Sequence, residues 1–319
     1  MKFKNSLHSK ALLFLSVICA VSEASADCSK ACAALQREDY KTAFVEFQKD
    51  AERGDPSAQI NLAHLYREGH GVKKDPIIAA KWYRMAANLN APYAQLNLAN
   101  MYFLGEGIPK DVPSAVKLYR TAADHGNVDS QLTLASLLYK GNGVDRDFIE
   151  AAKLFRMASD AGSAVGQFNL AIMHLAGNGV PENSGIAIKL LQQSAAQGLP
   201  IAQVKLGYIY FHGEGLPLNR KTGCQWYRKA ADQGDVDAFN NLGTCYQDGL
   251  GTQLSLPIAY ALFKLSADNG NGAAKGNFAK LIQKINNEQR SRGEGLVNAL
   301  MQSSNGLLPL DEFLRKNPW

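Results

Sequence analysis

The sequence predicts an all-α protein, a right-handed α-solenoid of stacked antiparallel helix pairs, and three regularities carry that expectation. Glycines recur as Gly69, Gly105, Gly141, Gly177, Gly213 and Gly249, with a second series two residues behind at Gly71, Gly107, Gly143, Gly179, Gly215 and Gly251, each in steps of 36. Ahead of each glycine pair, apolar residues fall at i, i+4 and i+8 (Ala58, Leu62, Tyr66; Ala94, Leu98, Tyr102; Ala202, Leu206, Tyr210), which is one face of a helix. Behind each pair stands a residue suited to capping a second helix: Asp75, Asp111, Asp147, Asn183, Asn219 and Ser255. Helix pairs this short cannot bury both apolar faces alone, so consecutive copies must stack.

Within a copy, helix A ends at the first glycine, placed there as a left-handed C-terminal cap. Helix B starts after the capping residue, with Pro76 at a first-turn position where its missing N–H is harmless. Small residues then alternate with a bulky pair, as in Ala79, Trp82, Tyr83, Ala86 and again Gly223, Trp226, Tyr227, Ala230, so that two helices can approach closely around large fillers. Each copy closes on Gly126, Gly162, Gly198, Gly234 or Gly270, with Asn90 in the first.

The segments AQxNLAxxY, GxGV and AxxWYRxAA together resemble the Sel1-like repeat, a relative of the tetratricopeptide repeat with two more residues in the turn. The resemblance covers six copies, at 55–90, 91–126, 127–162, 163–198, 199–234 and 235–270. It implies an adaptor or regulator that holds other proteins or peptides, and no particular chemistry.

Ahead of the copies, Lys2, Lys4 and Lys10 precede the apolar run from Ala11 to Ala20, and Ala24, Ser25, Ala26 offer the small-x-small pattern of a cleavage site. The run falls short of the about 20 residues that a permanent span needs. The expectation is a signal peptide over 1–26 and a periplasmic or secreted mature protein. Cleavage removes three of the 34 basic residues and one of the 29 acidic ones, so the net charge moves from +5 to +3. Without a concentrated basic patch, this balance argues against nucleic acid as a partner. Residues 27–54 read as a shortened helix pair that caps the first copy, with Asp39, Ala43, Phe47 and Ala51 in the register of helix B.

Four cysteines follow the cleavage site. Cys28 and Cys32 are one helical turn apart. Cys224 lies on helix B of the fifth copy and Cys245 on helix A of the sixth, and two readings fit them: a disulfide in an oxidising compartment, or a pair of buried thiols acting as small hydrophobes. No Cys or His spacing makes a zinc site. His64, His70, His125, His174 and His212 occupy different repeat positions and read as packed or solvated, and the expectation is no metal and no cofactor.

Two fragments match signatures of penicillin-recognising serine enzymes: Ser114-Ala-Val-Lys117 for S-x-x-K and Lys221-Thr222-Gly223 for K-T-G. Both dissolve in the repeat register. Lys117 is the lysine that recurs at Lys81, Lys153 and Lys189, Gly223 stands where other copies carry Ala79, Ala115 and Ala151, and S-D-N is missing. The expectation is therefore no catalytic residue and no enzyme, with a cell-wall fragment or β-lactam protein as the alternative.

The more informative stripe is the one equivalent to 57, 64 and 67 on helix A, which helical spacing sets apart from the core. It is polar in the outer copies and apolar in the middle ones, through Tyr93, Phe103, Tyr139, Ile172, Leu175, Ile201, Tyr208 and Phe211. These eight are the candidate partner-binding residues of a concave groove; the competing reading packs them against the next copy. Position 60 (Ile60, Leu96, Leu132, Phe168, Val204) is apolar in nearly every copy and is assigned to packing. After Gly270, residues 271–319 read as a capping helix, with Ala274, Phe278, Leu281, Ile282 and Ile285 on one face, and an apolar tail from Glu294. The tail can cover the last copy, lie in the groove or dock on a partner; the first is preferred.

Overall fold

A computed structural model of the chain describes residues 29–304 and 306–316, so the expected signal segment and Cys28 lie outside the described residues. Among the described residues there are 17 helices and no strand, arranged as the helix pairs of an α-solenoid. They fall into two compact units, residues 29–161 and 162–316. The first holds α1 (Ser29–Gln36), α2 (Tyr40–Glu52), α3 (Pro56–Glu68), α4 (Pro76–Asn88), α5 (Pro92–Leu104), α6 (Val112–Asp124), α7 (Val128–Lys140) and α8 (Phe148–Asp160). The second holds α9 (Ala164–Ala176), α10 (Ser184–Ala196), α11 (Pro200–His212), α12 (Arg220–Asp232), α13 (Val236–Asp248), α14 (Leu256–Asp268), α15 (Gly272–Leu281), α16 (Asn287–Gln302) and α17 (Leu308–Lys316).

The turn between helices A and B repeats one set of bonds. Gly69 sits at φ 81° and donates to the Leu65 carbonyl at 2.9 Å, ending α3. The capping residue then ties the far side of the turn to helix A, Asp75 N–H donating to Tyr66 O at 2.7 Å, with the same link from Asp111 to Tyr102, Asn219 to Tyr210 and Ser255 to Tyr246. The second glycine has a different task. It lies on the first turn of the preceding helix B: a methyl carbon added to Gly107 would fall 2.5 Å from the Pro76 carbonyl carbon, and Gly71 and Gly251 abut the backbone of Tyr40 and Arg220 in the same way. Only glycine fits both the left-handed backbone and that approach.

Asp75, Asp111, Asp147, Asn183 and Asn219 accept the capping bonds expected of them. Ser255 does not. Its side chain makes no capping bond and its buried hydroxyl has no hydrogen-bond partner among the described residues, leaving Pro257 and the backbone to start α14. A glutamine that the glycine and capping pattern does not single out adds a joint between copies. Gln59, Gln95, Gln131 and Gln203 are buried and donate across to Ala51, Ala87, Ala123 and Ala195 O at 3.1–3.4 Å, adding a second bond to carbonyls that already accept from Gly54, Asn90, Gly126 and Gly198 N–H at the end of the preceding helix.

Each unit has its own run of apolar contacts, through Phe47, Leu62, Tyr83, Tyr119, Leu134 and Phe155 in the first and Leu170, Leu191, Leu206, Tyr227, Phe239 and Phe263 in the second, all buried. The position-60 residues are half-buried. At the C-terminal end, α15 stops at Leu281 rather than running on through Ile285, and Ile282 is exposed. The reason is a competing start: Asn286 and Gln289 form a reciprocal capping box that opens α16. Gly293 of α16 lies against the Tyr260 ring, and Leu296, Val297, Leu300, Leu307 and Leu310 join one core with Phe239, Leu242 and Phe263.

Candidate functional site

The stripe on helix A behaves differently in the two units. In the first, Arg67 is already engaged. Arg67 on α3 reaches the turn after α5 and grips Glu106 in a fork, Nε to Oε2 at 3.0 Å and Nη2 to Oε2 at 2.7 Å. Tyr83 lies beneath, fully buried, and burial pushes its hydroxyl above the ordinary tyrosine range. His64 is half-buried nearby; burial, with Arg67 and His70 adding positive charge, lowers its pKa to about 4 against an opposing pull from Glu68. Asn100 accepts a 2.6 Å hydrogen bond from the Tyr119 hydroxyl.

The aromatic members of this unit are half-buried rather than open. Phe103 sits beside Gly143 of the following turn, where an added methyl would meet its ring at 3.5 Å, and Lys110 approaches its face at 5.7 Å. Tyr139 meets the Phe148 ring edge-on at 5.3 Å. Tyr93 is half-buried.

In the second unit Ile172, Leu175 and Phe211 are half-buried, and Phe211 is held against Gly223 and the Tyr227 ring, 6.1 Å away. Ile201 and Tyr208 are open, 53% and 38% exposed, as is Val165 at the repeat position of Ile201. Around Tyr208 the side chains are concentrated: the His212 ring lies 4.3 Å away, Lys205 Nζ stands 5.2 Å over its face, and a hydrogen bond with the Glu214 carboxylate raises the pKa of its hydroxyl. Beside this group is a cavity of about 290 Å³, lined by Leu175, Ser184, Ile188, Lys205, Ile209, Glu214 and Gly215.

Cys224 and Cys245 form a disulfide between α12 and α13, Cα to Cα 6.2 Å. The two catalytic lookalikes lie on helices. The Ser114 hydroxyl donates to Asp111 Oδ2 at 2.6 Å within the first turn of α6, and Lys117 is exposed on the next turn. Lys221 and Thr222 belong to the first turn of α12, and Gly223 is buried against the backbone of Gly207. Among the described residues no group of His, Cys, Asp or Glu is placed to hold a metal ion, and no helix is long and apolar enough to cross a membrane.

The missed residues of this region are Lys205 and Glu214. Helical spacing points at Tyr208 and Leu175, but Lys205 stands at a position held elsewhere by Asn61, Asn97, Asn169 and Asn241, and that break in the repeat was the available signal.

Compared with known proteins, residues 56–90, 92–127, 128–163, 164–199, 200–235 and 236–271 each match the Sel1 repeat. No curated protein matches the chain. Among solved structures the chain is similar to a protective antigen present in uropathogenic Escherichia coli strains that displays an SLR fold, with 33% identity and a TM-score of 0.72. That likeness covers 80% of this chain but 55% of the antigen, so the chain spans little more than half of its length. It is also similar to a Sel1 repeat protein from Oxalobacter formigenes, 31% identical with a TM-score of 0.69, over 75% of this chain and 98% of that one.

Proposed function

The chain belongs to the Sel1-repeat family, whose fold is typically a scaffold for protein–protein interaction, and from that premise we propose that it is an exported adaptor that holds a protein or peptide partner along the stripe of its A helices. The observation that carries this reading is the pairing of Tyr208 and Ile201, open on α11, with the adjoining cavity, while most other candidates on the stripe are half-buried. An exposed aromatic beside a small recess of mixed apolar and charged lining is the form an anchoring site takes when a few side chains supply most of the binding energy. Export is supported by the charge order and cleavage pattern of residues 1–26 and by the Cys224–Cys245 disulfide, which suits an oxidising compartment. The description of the E. coli neighbour as a protective antigen is in line with it.

The test is crosslinking of the mature protein in its native envelope, followed by identification of what is captured. Ile201→Asp with Tyr208→Asp should empty the captured set while leaving the helical circular dichroism unchanged, because neither side chain belongs to the core. Capture that survives the double change would reject the stripe as the binding face.

A further inference from the structure

The two units contain the same local arrangement, complete in one and unfinished in the other. Glu214 stands to Leu175 in the repeat register as Glu106 stands to Arg67, both pairs 39 residues apart. In the first unit the guanidinium of Arg67 fills the space between the A helix and the next turn, forked onto Glu106 above the buried Tyr83. In the second unit Leu175 and Leu191 occupy the positions of Arg67 and Tyr83, so both the guanidinium and the phenol are gone. The acidic partner is kept.

The space beside Leu175 has not closed. At Gly107 the turn presses on the Pro76 backbone, whereas the nearest atom to a methyl on Gly215 would be the tip of Ile188 at 3.1 Å, with Ser184 Cβ at 3.7 Å. The cavity of about 290 Å³ lies here, near the lower end of ligand pockets, which run about 300–1,000 Å³, and so suited to one side chain rather than a free metabolite. Its walls divide by chemistry: Leu175, Ile188 and Ile209 are apolar, and the exposed Glu214 carboxylate, hydrogen-bonded to the Tyr208 hydroxyl, makes no ion pair among the described residues.

We propose that this cavity receives an arginine side chain of the partner, with Glu214 performing between chains the task that Glu106 performs within this one. The stem of an arginine is apolar and the planar head offers paired N–H donors, which matches leucine and isoleucine walls leading to one carboxylate. Lys205 is the other charge on the lining. It repels a run of basic residues and favours a segment in which an acidic residue neighbours the arginine. The proposal rests on the scaffold reading above and specifies what that scaffold grips.

The test is a methyl NMR titration of the whole mature chain with N-acetyl-arginine N-methylamide, using the citrulline analogue as the uncharged isostere. Saturable shifts at the Leu175, Ile188 and Ile209 methyls are expected, with the arginine probe binding about tenfold tighter, the worth of one charge-assisted hydrogen-bonded pair. Glu214→Gln should erase the preference. Leu175→Arg should complete the pair from within, blocking the probe and raising Tm. The proposal is overturned if the two probes bind alike, if no saturable shift is seen, or if Leu175→Arg lowers Tm and still admits the probe. Should the arginine preference fail while Ile201→Asp with Tyr208→Asp still abolishes partner capture, the scaffold reading stands and only the occupant of the cavity is wrong.

Discussion

Arg228 and Asp311, 83 residues apart in the sequence, meet in two parallel hydrogen bonds, Nη1 to Oδ1 at 3.0 Å and Nη2 to Oδ2 at 2.8 Å. Arg228 Nη2 also donates to Leu307 O, and the Leu307 N–H donates to Asp232, so the last helix is strapped across α12 by a network and not by a lone pair. Leu307 and Leu310 join the core, while Leu308 stays exposed.

Removing residues 307–319 should lower Tm, because Leu307 and Leu310 are both buried. Arg228→Ala should reproduce part of the loss, about 1–2 kcal/mol, since the pair is half-screened by solvent on the Asp311 side. Thermal melting of the two variants decides it, and an unchanged midpoint for the truncation would mean the tail is held in place by nothing that matters to stability.

The two glycine series should respond differently to a methyl group. Gly126→Ala meets open space at φ 83° and should cost about 1–2 kcal/mol for the left-handed backbone alone. Gly107→Ala has the same backbone and also collides with Pro76, so urea denaturation should show a clearly larger loss than at Gly126. Equal losses would mean that the close approach of turn to helix carries no energy.

His64 makes a pH prediction. Its folded pKa of about 4 lies below the about 6.5 of an exposed histidine, so between these values the unfolded chain binds more protons than the folded one. Stability is therefore full above pH 6.5 and falls as the pH drops towards 4, by about 3 kcal/mol at the lower limit. His64→Gln should flatten the dependence of unfolding free energy on pH in that window; a curve of unchanged slope would assign the acid sensitivity elsewhere.

The Cys224–Cys245 bridge closes a short loop, with 21 residues of sequence separation. Reduction should destabilise the second unit by about 3 kcal/mol on chain-entropy grounds. Peptide mapping under non-reducing conditions should find the two cysteine peptides linked, and finding them separate would leave two packed thiols.

Much of this protein was legible before any coordinate. The 36-residue glycine ladder, the capping residues and the i, i+4, i+8 apolar rows are short-range signals, and a repeated helix pair has few ways to bury its faces. What escaped was long-range or dependent on a competing local start. Ser255 has the chemistry of a cap yet makes no capping bond, and Asn286 with Gln289 ends the run towards Ile285 by opening a better helix. Helical spacing placed Phe103 and Tyr208 on one stripe, but it does not say how near the following turn lies. That nearness half-buries Phe103 beside Gly143 and leaves Tyr208 open beside a cavity.

The sequence by itself determined the repeat, its caps and the positions that turn away from the core, because these depend on backbone geometry within about one helical turn. Only the tertiary structure decided which of those positions are satisfied: Arg67 meets Glu106 across two copies, Glu214 and Leu175 line one cavity, and Arg228 holds the tail. Such pairings depend on distances between elements far apart along the chain, which hydrophobic packing sets and no local pattern records.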